Sequence, residues 1–132
     1  MTRLIITRHA GAVEWLRRHH PALVEGAEVV SHFGPEEIAR LGAGDAVIGV
    51  LPLGLVAELN KRGIRTFLID VRVPRELRGK ELTAEDMEAL GATVEETVVL
   101  KGQDLDRARE QWVRVIEDTG APFAPPHPLF EG

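Results

Sequence analysis

The sequence predicts an α/β fold, a Rossmann-like open, mostly parallel sheet flanked by helices, formed by a single domain over residues 1–119 with a proline-rich C-terminal tail over 120–132. Three observations carry this expectation. Short aliphatic runs alternate with segments whose apolar residues recur every three to four positions, the pattern of successive β-α-β units with right-handed crossovers. The run Ala46-Val47-Ile48-Gly49-Val50-Leu51 is almost wholly apolar, as expected of a strand buried on both faces of a parallel sheet. A chain of 132 residues is also long enough for one core, burying roughly two-thirds of its unfolded surface, and short for two.

In chain order, Leu4-Ile5-Ile6-Thr7 reads as a buried strand that ends in a polar stretch and Gly11. From Ala12 to His19 the spacing is helical, with Ala12, Val13, Trp15 and Leu16 on one face and Pro21 expected to close the helix. Glu28-Val29-Val30 is the second strand, followed by Ser31-His32 and by a helix whose early proline is Pro35. The third strand stops at Pro52. Leu53 to Arg62 is helical through Leu55, Val56 and Leu59, and Gly63 supplies its stop. Thr66 to Val71 is the fourth strand, and a polar loop from Arg72 to Lys80 follows it. Thr83 caps the next helix, with Glu85 and Asp86 in its first turn, and Gly91 ends it. Thr93 to Leu100 alternates as an exposed or edge strand. Asp104 opens a last helix with Leu105, Ala108, Trp112, Val115 and Ile116 on one stripe, and the segment from Gly120 is too rich in proline for either regular element.

Composition removes several function classes. There is no cysteine, so disulfides, thiolate metal sites and cysteine nucleophiles are excluded. A net charge of −5 opposes the broad basic surface that long nucleic acids require, yet arginines gather at Arg8, at Arg17 and Arg18, and at Arg72, Arg75 and Arg78, so a small anion can still be attracted locally. No membrane-length apolar window or signal-peptide pattern occurs, and a cytoplasmic protein without membrane contact is expected. HExxH and closely spaced ligand sets are missing, so neither a metal nor another cofactor is called for. Gly42-Ala43-Gly44 precedes its strand and cannot serve as a dinucleotide phosphate loop.

Ligands of open α/β sheets bind beyond the carboxyl ends of the strands, which selects Arg8 and His9, then Ser31 and His32, then the loop from Asp70 to Arg78. Gly11 is expected to let a ligand approach the backbone, beside a helix N-terminus that offers N–H groups to phosphate. Arg8 can pair with phosphate through two N–H groups, and His9 or His32 can move a proton near neutral pH. Asp45, at the opposite end of the sheet, reads as turn chemistry. His19 and His20, at a helix end, and Trp15, on an apolar stripe, read as structural.

Two resemblances bear on these residues. Thr7-Arg8-His9-Ala10-Gly11 resembles the strand end of histidine phosphatases, in which the histidine is phosphorylated, although the late histidine here is His127 in the proline-rich tail. A longer set resembles a small stand-alone CRISPR-associated family of type III systems. It comprises Arg8-His9-x-Gly11-Ala12-x-Glu14-Trp15-Leu16, Ser31-His32-Phe33, Gly44-Asp45-x-Val47-Ile48-Gly49-x-Leu51-Pro52, and Arg78-Gly79-x-Glu81-Leu82-Thr83 with Asp86-Met87. That resemblance implies a ring nuclease, a Rossmann-like homodimer that binds and linearises cyclic oligoadenylate, chiefly cyclic tetra-adenylate, and so switches off antiviral signalling. The expected catalytic set is Arg8, His9, Ser31 and His32, and the expected ligand contacts are Thr7, Gly11, Leu51, Pro52, Arg75 and Arg78. A non-catalytic binder of the same messenger is the alternative from another class.

Overall fold

Strand pairing begins from the branched aliphatics picked out above. The computed structural model describes residues 1–104. Strands β1 (Arg3–Ile6), β2 (Glu28–Val30), β3 (Ala46–Gly49) and β4 (Arg65–Asp70) are mutually parallel, and β5 (Thr93–Glu96) joins antiparallel to β4. The five form one open sheet in the order β2-β1-β3-β4-β5. Ile5 sits opposite Val29 on one side and Ile48 on the other, Ile48 opposite Phe67, and Ile69 opposite Val94. Between the strands run α1 (Ala10–His19), α2 (Pro21–Val24), α3 (Pro35–Ala39), α4 (Leu53–Lys61) and α5 (Ala84–Ala89).

Side chains of a strand alternate between faces, so the sheet has two cores. Ile5, Ile48 and Ile69 pack with Ala12, Val13, Trp15 and Leu16 of α1 and with Ala84 and Met87 of α5. Val47 packs with Leu59 and Ile64, edged by Ile6, Phe33, Ile38 and Leu55. Leu4, Leu16, Val47, Ile48, Val56, Leu59 and Ile64 are wholly buried, each stabilising the fold by about 1.5–3 kcal/mol relative to exposure.

Element boundaries moved where local chemistry intervened. Helix α1 begins at Ala10 and ends at His19, and Pro21 opens the short α2 as well as ending its predecessor, because proline's missing N–H costs nothing in a first helical turn. Strand β3 stops at Gly49, short of Leu51. A Cβ there would lie 2.6 Å from the Ile6 carbonyl oxygen, so this close approach of β1 and β3 requires glycine. Pro52 is then the N-cap of α4. Gly63, at φ +80°, follows that helix as expected. Strand β5 is an edge strand but ends at Glu96. Beyond it, Thr97 N–H donates to the Thr66 carbonyl (3.0 Å) and Val99 N–H to Asn60 Oδ1 (2.8 Å). Buried Asn60 also donates to Ile64 O and Thr66 Oγ1, which leaves this polar insert in the core satisfied. The helix expected from Asp104 onward and the tail over 120–132 lie outside the described residues. No described helix is long and apolar enough to cross a membrane.

Candidate functional site

Strand order reverses between β1 and β3: the chain leaves β1 toward β2 on one side and returns to β3 on the other. Connections diverge at such a switch point and leave a crevice beyond the strand ends. A cavity of about 850 Å³ occupies that position, lined from β1 by Thr7, Arg8 and His9, from β2 by Ser31, His32 and Phe33, and from β3 by Val50, Leu51 and Pro52. Asp70 and Val71 line it from β4, and Leu77, Arg78, Gly79, Lys80 and Leu82 from the loop after it.

Thr7 sets the turn that presents Arg8 and His9. Its N–H donates to Val30 O (3.1 Å), its Oγ1 accepts the His9 N–H (3.0 Å), and its hydroxyl donates in turn to His9 O at 3.4 Å. His9 is the N-cap of α1, where no side chain caps the helix and no acid occupies the first turn. Helix α5 is the contrast: Thr83 Oγ1 accepts the Asp86 N–H (3.1 Å) and Asp86 accepts the Thr83 N–H (3.0 Å), so its N-terminus is already satisfied. Among the described residues the α1 terminus therefore keeps uncapped donors and a positive dipole end beside Arg8.

The side chains of Arg8, His9, Ser31, Asp70, Arg78 and Lys80 are exposed and make no hydrogen bond or ion pair among the described residues, and His32 likewise has neither. Among the described residues, three cations and two histidines thus share the cavity with one carboxylate, over an apolar lining that includes Ile6, Phe33, Leu51, Leu55 and Leu77. Cations without partners can hold phosphate, and apolar surface between them can receive flat bases. Among the described residues no group of three or more His, Asp or Glu is placed to hold a metal ion.

Eight of the ten expected site residues line this cavity, and two do not. Gly11 is displaced from its expected role: the space its missing Cβ leaves is filled by protein, since a Cβ would stand 2.1 Å from Leu82 O and 2.9 Å from Thr83 Cα. Its bareness seats α1 against the Leu82-Thr83 backbone and so fixes the far end of the loop that carries Arg78 and Lys80. Arg75, on a 3-10 turn spanning Arg75–Leu77, lies outside the lining. Arg18 is consumed by Glu14 and by Glu85 (2.9 Å), which hold its guanidinium charge and tie α1 to α5. Lys80 and the lining residues Ile6, Phe33, Leu55 and Leu77 are not among the expected site residues, because their approach to the cavity depends on how segments distant in sequence pack together. Asp45, His19, His20 and Trp15 are structural as expected. Asp45 accepts N–H groups from Thr2 and Gly42, both at 2.8 Å, and Trp15 is buried with the two imidazoles 5.7 and 5.5 Å from its ring.

Fold and site together define an open α/β protein with a cation-lined crevice at its topological switch point. Residues 4–100 match the family described as "Putative CRISPR-associated protein (Cas_VVA1548)", and the chain belongs to that family. No curated protein and no solved structure matches it.

Proposed function

We propose that this protein is a metal-independent ring nuclease that cleaves cyclic oligoadenylate, chiefly cyclic tetra-adenylate, and thereby ends type III antiviral signalling. The observation that carries the reading is the convergence of Arg8, His9 and His32 on one cavity with no side-chain hydrogen bond or ion pair among the described residues. CRISPR association of the family and the motif resemblance support the choice of a nucleotide messenger. The apolar lining suits its bases.

The chemistry is in-line displacement. A ribose 2′-OH attacks the adjacent phosphorus, the O2′–P bond forms, the P–O5′ bond breaks, and the products are a 2′,3′-cyclic phosphate and a free 5′-OH. Arg8 neutralises charge on the equatorial phosphate oxygens. One histidine takes the 2′-OH proton and the other supplies one to the leaving oxygen, with Ser31 orienting the phosphate. A ring with two-fold symmetry is matched by two copies of the cavity related by a two-fold axis, so a homodimer is the proposed working form.

The test is incubation with cyclic tetra-adenylate in excess EDTA, with products followed by chromatography and mass. Linear products ending in cyclic phosphate are expected. An intact ring that co-elutes with the protein would make this a messenger sponge, and neither cleavage nor binding would overturn the reading.

A further inference from the structure

The chain passes from β2 to α3 through four residues, Ser31 to Gly34, and His32 stands in that passage at the cavity. A Cβ on Gly34 would lie 3.1 Å from His32 Nε2 and 3.7 Å from Glu37 Oε2. The imidazole edge and the carboxylate therefore flank the same bare spot on the backbone. Glu37 is itself held: its Oε2 accepts the Gly34 N–H at 3.0 Å from the third position of α3. Backbone N–H groups, its own and that of Gly34, hold its carboxyl below the ordinary range, and the neighbouring His32 acts in the same direction. His9 has a different setting, as the N-cap residue of α1, with no carboxylate in the first turn of that helix.

We propose that Gly34 and Glu37 form a seat for the His32 ring, with Glu37 the positioning residue that steadies its imidazolium, so that the two histidines have fixed and different roles. The proposal rests on the ring-nuclease reading. His9 takes the proton of the attacking 2′-OH as the O2′–P bond forms, and His32 gives its proton to the 5′ oxygen as the P–O5′ bond breaks. Exchange with water restores both. The other charges sharing the cavity with His32 are Arg8 and His9 at the β1 end, Asp70 at the β4 end, and Arg78 and Lys80 on the loop. Arg40, at the C-cap of α3, is paired with Glu28 at 2.8 Å.

Glu37→Gln tests this in the full chain, because the amide oxygen still accepts the Gly34 N–H while the charge is gone. Loss of one near charge predicts a fall in kcat of roughly five-fold with KM unchanged, and a descending alkaline limb of kcat displaced to lower pH. Gly34→Ala, which crowds the ring, lowers kcat without displacing the limb and serves as the second variant. An unchanged kcat and limb in Glu37→Gln would overturn the proposal. The ring-proton NMR signal of His32, followed over pH, separates the two readings. A midpoint lowered in Glu37→Gln supports the seat even in a protein that leaves the ring intact, whereas an unmoved midpoint sinks the seat even if the ring is cleaved.

Discussion

At the amino ends of the strands Arg3, Glu28, Asp45 and Arg65 are all taken up by the fold, whereas at the carboxyl ends Arg8, His9, Arg78 and Lys80 are left open among the described residues. Arg3, at the start of β1, donates to Ala22 O (2.8 Å) and Leu23 O (3.2 Å). Glu28, at the start of β2, pairs with Arg40, and Arg65, at the start of β4, grips Glu96 through two N–H groups at 2.8 and 2.7 Å. Asp45, just before β3, joins Thr2 to Gly42. At the other end Arg8, His9, Arg78 and Lys80 have no such partners among the described residues. One end of the sheet spends its polar chemistry on stability, and the other holds it available for a ligand. Substitutions at the two ends should therefore fail in different ways.

The sharpest break of this comparison is His9→Ala. Loss of a general acid–base group should slow ring cleavage on the order of 10²- to 10⁴-fold while binding and thermal midpoint stay near those of the wild type. A large fall in stability instead would mean that the carboxyl end is structural too. Arg8→Ala comes next, with roughly a 10²-fold loss in kcat and weaker ring binding, read by the same cleavage assay and by titration.

Gly11→Ala crosses the divide, because its Cβ would meet the Leu82 carbonyl and thus backbone that cannot swing aside. A loss of about 2–3 kcal/mol in urea unfolding is expected, with activity falling as the loop carrying Arg78 and Lys80 shifts. An unaltered unfolding curve would show that α1 and the Leu82-Thr83 segment can part without cost.

Asp45→Asn reports on the amino end. Burial opposes the charge of this carboxyl, but the Thr2 and Gly42 N–H groups outweigh it and hold the group below its ordinary range. A depressed folded-state value contributes stability that is present above about pH 4, where the unfolded carboxyl ionises, and is lost as pH falls through the folded value. The variant should lose about 1–2 kcal/mol at neutral pH, the gap to wild type should close on acidification, and cleavage at neutral pH should be unchanged. Arg40→Ala, which removes an exposed pair with Glu28, is the smallest effect, within about 1 kcal/mol and fading in salt.

Much of this was legible in the residues. Four strands and the helices between them follow from apolar period and from local stops such as Gly63 and Pro52, which act within a few residues and need no distant partner. The parallel sheet follows from the apolar run through Ile48, and the rule that ligands sit beyond strand ends selects Arg8, His9, Ser31 and His32 from their order along the chain. The roles of Gly11 and Lys80 were not legible, because each depends on the loop after β4 folding back over α1, a contact between residues some seventy positions apart. Nor could spacing alone show that Glu37 and His32 flank one bare glycine, or that β5 runs antiparallel. The sequence by itself determined where regular structure forms and which strand ends carry chemistry, since both are governed by neighbours along the chain. Only the tertiary structure decided which charges are neutralised and which stay open, because partners distant in sequence supply that neutralisation.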